Sequence, residues 1–100
     1  SSNTLQMALH ALQQAEAEHA PTLAGSSYQI AQDAFNQAQL FDAKRKKKDA
    51  QRMAEKYIRY AELASTEARY YQLKIEVENK VTENADLRRT LLLGTPDSTQ

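Results

Sequence analysis

Ala54, Tyr57, Ala61, Ala64, Ala68, Tyr71 and Ile75 recur at alternating steps of three and four residues. That spacing places all seven on one side of an α-helix, and the alternation is that of a seam between packed helices. Alanines at most of its positions let a neighbouring helix approach closely. The rest of the chain agrees with long helices rather than sheet, since 26% of its residues are charged and it holds two glycines, two prolines and no tryptophan. One hundred residues make at most one modest domain. A core filled largely by alanine buries little apolar area, so a partner chain would add considerably to stability.

Two further helical stretches precede the seam. Leu5, Ala8, Leu9, Leu12, Ala15 and His19 mark one face of the first, with Asn3 or Thr4 available as its cap. Ala20-Pro21 interrupts it, because proline lacks an N–H and disfavours helical geometry in the residue before it. Helix resumes at Pro21 or at Ser26, where Ser26 and Gln29 have capping-box spacing. Ile30, Ala31, Ala34, Phe35, Ala38 and Phe41 mark its inner face. No apolar residue lies between Ala43 and Ala50, which predicts a turn, with Asp49 capping the next helix. Beyond Tyr71 the stripe drifts to Leu73, Val77, Val81, Leu87 and Leu91, and Gly94-Thr95-Pro96 stops it.

The expected organisation is a single all-α domain over residues 1–94, with helices at about 4–19, 22–43 and 49–93 and a loose tail at 95–100. The third helix spans roughly 67 Å, and the first two laid end to end roughly 60 Å. Near-equal lengths predict a long antiparallel helical hairpin, a coiled coil whose first arm is broken at Ala20-Pro21. The alternative is a three-helix bundle on the first half of the third helix, whose second half then exposes Leu73, Val77, Leu87 and Leu91.

Thirteen Lys and Arg balance thirteen Asp and Glu, so no global field attracts nucleic acid or acidic lipid. There is no cysteine, which excludes disulfides and thiol-ligated metals. No stretch approaches the roughly 20 apolar residues that span a bilayer. The chain opens on Ser1 without an initiator Met, and the expectation is a processed or trimmed polypeptide.

The constellations that carry chemistry are sparse. Glu16 and His19 have the E-x-x-H spacing of di-iron bundles, but His10 lacks a matching Glu, so no metal or cofactor is expected. The serines lie near ends and breaks apart from Ser65, and two scattered glycines make no phosphate cradle, so no enzyme is expected. Tyr57 and Tyr71 fall on the seam as packing residues, whereas Tyr60 and Tyr70 lie off it as candidates for a partner-facing surface. The run Lys44-Arg45-Lys46-Lys47-Lys48 reads first as a solvated corner, with cations at a helix C-terminus flanked by Asp42 and Asp49. Its functional reading is a weak, salt-sensitive contact with lipid headgroups, lipopolysaccharide or an acidic partner.

Four segments carry a resemblance. They are A-L-x-x-A-E-A-E-x-A-P at 11–21, A-x-x-A-F-x-x-A at 31–38, D-A-x-R-M-A-E-x-Y at 49–57, and A-E-L-A-x-x-E-A-R at 61–69. Together they resemble the bacterial helical family catalogued as "domain of unknown function 4398". The resemblance implies a periplasmic, outer-membrane-associated lipoprotein domain, with the lipid-bearing Cys upstream of Ser1. The family brings no catalytic residues. Two departures are a longer segment at 22–27 and the KRKKK run in place of a small turn.

The function expected is therefore a non-enzymatic scaffold or adaptor of the bacterial envelope. Its partners would be another protein or a second copy, with no nucleic acid, and a membrane reached only through a lipid anchor outside this chain. A cytosolic coiled-coil adaptor, or an anion-binding protein acting through 44–48, are the alternatives. Leu73, Val77, Leu87 and Leu91, with Tyr60 and Tyr70, are the candidate partner-facing residues.

Overall fold

A computed structural model describes residues 2–94 of the chain. Those residues form four helices and, among them, no strand: α1 (Ser2–Ala17), α2 (Ala20–Leu23), α3 (Gly25–Ala43) and α4 (Lys47–Leu93). Contacts divide the chain into one unit ending at Tyr70 and a second beginning at Tyr71. The expected tail at 95–100 lies outside the described residues.

In the first unit, α1, α3 and the opening half of α4 share one core. Ala8 and Ala11 of α1, Ala31 and Ala34 of α3, and Tyr57, Ile58 and Ala61 of α4 form one buried cluster. Ala15, Ala20, Ala24, Ala64 and Ala68 form a second. Polar contacts fix the directions. Gln51 Nε2 donates to Thr4 Oγ1 at 3.0 Å, and Arg69 faces Glu18 at 3.7 Å, so α1 runs parallel to α4. Phe35 packs on Tyr57 with ring centroids 5.2 Å apart, and Ser27 Oγ donates to Glu67 Oε1, so α3 runs antiparallel. Both α1 and α3 therefore oppose the same length of α4. In an end-to-end hairpin they would oppose successive lengths. Of the two arrangements the sequence allowed, the three-helix bundle is the one formed.

The break falls where proline was expected to cause it, but one step earlier. His19 turns left-handed at φ 62°, ending α1, and Ala20 already belongs to α2 with Pro21 in its first turn. Ala24 leaves helical geometry, yet its N–H still reaches Ala20 O at 2.8 Å and its carbonyl accepts from Tyr28 N–H at 3.0 Å. The expected capping box at Ser26 does not form: Ala24 is the N-cap of α3, without a side-chain cap bond. Gln29 bonds Asp33 instead, one turn on. At the other end, α4 starts at Lys47 rather than after Asp49. Asp49 sits inside its first turn and pairs with Arg52. Thr4 does not cap α1, which begins at Ser2, but serves as the acceptor for Gln51.

The core is unusual in what it holds. Among the described residues, ten of the twelve buried apolar side chains are alanines, with Tyr57 and Ile58 the exceptions. Burying one methyl returns about 0.8 kcal/mol, against about 1.5–3 kcal/mol for a Leu or Ile. Larger apolar side chains flank the seam rather than fill it. Leu9 and Ile30, expected on inner faces, remain 50% and 38% exposed. With methyls between them the helices leave no depth for a longer side chain, which is pushed to the rim.

In the second unit, α4 continues unbroken to Leu93 and stops at Gly94. Gly94 takes φ 81°, a geometry glycine adopts without strain, and donates to Thr90 O at 2.8 Å. Tyr71 and Ile75 continue the seam spacing but are exposed, so the buried positions end at Ala68.

Candidate interaction site

From 73 to 89 every residue of α4 is exposed. Leu73, Val77, Val81 and Leu87 are among them, and with Leu91, beyond Thr90, they range from 54% exposed at Val77 to 76% at Leu91. Steps of four, four, six and four keep these five on neighbouring rows of one helix surface. Between them stand Glu76, Lys80, Glu83, Asn84 and Arg88, all exposed. Tyr70, at the end of the first unit, is 62% exposed. Tyr60 is different. It is half-buried and packs against the first core cluster, so most of its ring stabilises the bundle.

The cationic run forms the α3–α4 turn. Its shape comes from the backbone: Lys46 N–H reaches Phe41 O at 2.8 Å and Arg45 N–H reaches Asp42 O at 3.0 Å. That pair of bonds, with Arg45 left-handed at φ 62°, is a Schellman motif carried by a residue other than glycine. Lys44 and Arg45 stand at the carbonyl end of α3, where cations are favoured. Lys47 and Lys48 open α4, where the same charge meets the positive end of a helix. All five side chains are exposed.

Two clefts lie in the first unit. The larger, about 530 Å³, opens at the end of the bundle among Ala8, Phe35, Ala38, Ala50, Ala54 and Tyr57. The second, about 490 Å³, is a polar groove along α1 and α4 with His10, Glu62, Ser65 and the Glu18–Arg69 pair. Ser65 Oγ donates to Ala61 O, the carbonyl one turn back. Glu16 and His19 do not share a helix face, because His19 has left the helix. Among the described residues no group of three or more His, Cys, Asp or Glu is placed to hold a metal. No described helix is long and apolar enough to cross a membrane.

Tyr57 has a strongly shifted proton equilibrium. Burial of its ring and hydroxyl pushes its pKa up to about 12, helped by the proximity of Tyr28 and Glu16. Several features of the first unit escaped the sequence reading. The Ser27–Glu67 bond joins residues 40 apart, for which spacing along one helix carries no signal. Ile58 is buried beside Tyr57, and only its apolar character, next to a seam position, hinted at it.

Comparison of the chain with protein-family models, with curated proteins and with solved structures found no match.

Proposed function

We propose that this chain is a non-enzymatic helical interaction module, a scaffold or adaptor of the bacterial cell envelope, whose working surface is the second half of α4. One observation carries the reading: Leu73, Val77, Val81, Leu87 and Leu91 stand exposed on a helix that buries nothing beyond Ala68 among the described residues. Contiguous apolar surface of this kind, rimmed by charge, marks an interaction site. An amphipathic helix is also what partner grooves and partner helices recognise. The periplasmic, outer-membrane placement is supported by the Ala-spaced resemblance alone.

The experiment is site-specific photocrosslinking in cells making the native precursor, followed by membrane fractionation. A photoreactive residue at Val77 or Leu87 is expected to give a discrete adduct in the envelope fraction, and one at Asn79 or Arg89 to give none. Absence of adducts from both apolar positions overturns the module. A cytosolic, unlipidated precursor overturns the location and leaves the cytosolic adaptor.

A second reading is favoured by the five exposed cations of the α3–α4 turn. It is a weak contact with anionic headgroups, which increasing salt screens. Flotation with anionic vesicles is expected at low salt and lost when Lys46, Lys47 and Lys48 are changed to Gln. Flotation that survives those changes rejects the turn as its cause.

A further inference from the structure

We infer that residues 73–91 of α4 pair with the same residues of a second copy as a short, parallel, in-register two-stranded coiled coil. The inference rests on the reading of this surface as an interaction site and names its occupant.

The register comes from the exposed residues themselves. Counting Val77, Asn84 and Leu91 as one seam row places Leu73, Lys80 and Leu87 on the other, at steps of four and three. The a row then holds a β-branched Val, a single Asn and Leu91, and the d row holds two Leu and Lys80. Val at a with Leu at d favours two parallel strands, and one Asn at a selects the register in which it meets its own copy. Lys80 is the exception at d. Glu76 and Glu83 stand one turn to either side of it on the same face, and its long stem lets the ammonium reach the seam edge. It weakens the seam, so the pair is of low affinity and dissociates readily.

Charge decides the direction. In this register Glu76 and Glu83 occupy g, while Lys74, Val81 and Arg88 occupy e. A parallel pair brings g of one chain against the following e of the other, so Glu83 meets Arg88 of the second copy twice per dimer. An antiparallel pair would set g against g and e against e. With the seams of 73–91 fully overlapped, that sets Glu83 against its own copy, Lys74 against Arg88, and Glu76 against Thr90. The pattern of signs therefore favours the parallel direction. Ile75 and Leu92 lie on other faces of α4 and take no part.

Sedimentation equilibrium of the whole chain tests this. The mean mass is expected to rise from 11.3 kDa toward twice that value between about 10 µM and about 1 mM. Val77→Asp and, separately, Leu87→Asp are expected to hold the chain at the monomer mass with its helical circular dichroism unchanged. Glu83→Arg or Arg88→Glu alone is expected to weaken pairing several-fold, and the double exchange to restore it. Because the chain has no cysteine, Leu91→Cys in a glutathione buffer reports direction. A disulfide-linked dimer is expected there, and none from the outward-facing Thr82→Cys.

A wild-type chain that stays monomeric to about 1 mM overturns the self-pairing. So does a dimer that survives both Asp variants, or a Leu91→Cys variant that does not cross-link. None of these touches the module reading, which stands or falls on the photocrosslinking at Val77 and Leu87.

Discussion

The Ser27 hydroxyl donates to Glu67 Oε1 at 2.5 Å, tying the first turn of α3 to a point on α4 forty residues later in sequence. Ser27 lies three residues after Ala24 of the second alanine cluster. A hydrogen bond to a charged acceptor contributes about 1.5–3 kcal/mol, and loss of one that can rehydrate costs less. Ser27→Ala is therefore expected to lower unfolding free energy by about 1 kcal/mol, seen as a lower urea midpoint with an unchanged slope.

Ala64 and Ala68 are fully buried. Ala64→Leu adds three carbons where the helices meet through methyls, and overpacking of this kind costs about 1–3 kcal/mol. Ala64→Gly is expected to cost about 1 kcal/mol through helix propensity. The enlargement should be the worse change, the reverse of a core built on large residues. Thermal melts of the two variants check the order.

Burial of Tyr57 gives a pH prediction. Its pKa is about 10 in the unfolded chain and about 12 in the folded one, so the folded state holds this proton more tightly. The stabilisation is complete below pH 10 and declines as pH rises from about 10 to about 12, in total by about 3 kcal/mol. Tyr57→Phe is expected to lose this part of the alkaline decline. The comparison is made by denaturant titration at pH 9 and at steps above it.

His19 and Arg45 both hold left-handed backbone geometry, with φ 62° at each. For residues with a Cβ that geometry costs about 1–2 kcal/mol, and glycine avoids it while losing some entropy on folding. His19→Gly and Arg45→Gly are each expected to stabilise by about 0.5–1 kcal/mol. An unchanged or lowered midpoint for both would mean that their side chains make contacts which outweigh the strain.

The first unit was legible where one rule acted alone. Steps of three and four picked out Tyr57, Ala61, Ala64 and Ala68 because a buried helix face admits little else. The same steps continue through Tyr71 and Ile75, which are exposed. Periodicity records which side of a helix could pack, and only the lengths of the opposing helices determine how far packing continues. The Ala20-Pro21 break was legible from proline chemistry, though the left-handed turn falls on His19, with Ala20 opening α2 and Pro21 in its first turn. Ser26 and Gln29 misled because cap spacing says nothing about tertiary demand, and it is Ser27 that α4 engages. Leu73, Val77, Leu87 and Leu91 were legible as a stripe from their spacing alone, and all four stand exposed.

Near-identical methyls wherever α1 and α3 meet α4 carry a mechanical implication. Sliding one rod past the next by a single turn replaces methyl with methyl, so most of the contact is indifferent to axial displacement. The aromatic pair Phe35–Tyr57, tilted at 51°, is the detent that makes one position preferable. A chain carrying Tyr57→Ala should keep its helicity and yet sample several offsets, which would appear as multiplied or broadened amide resonances from α3.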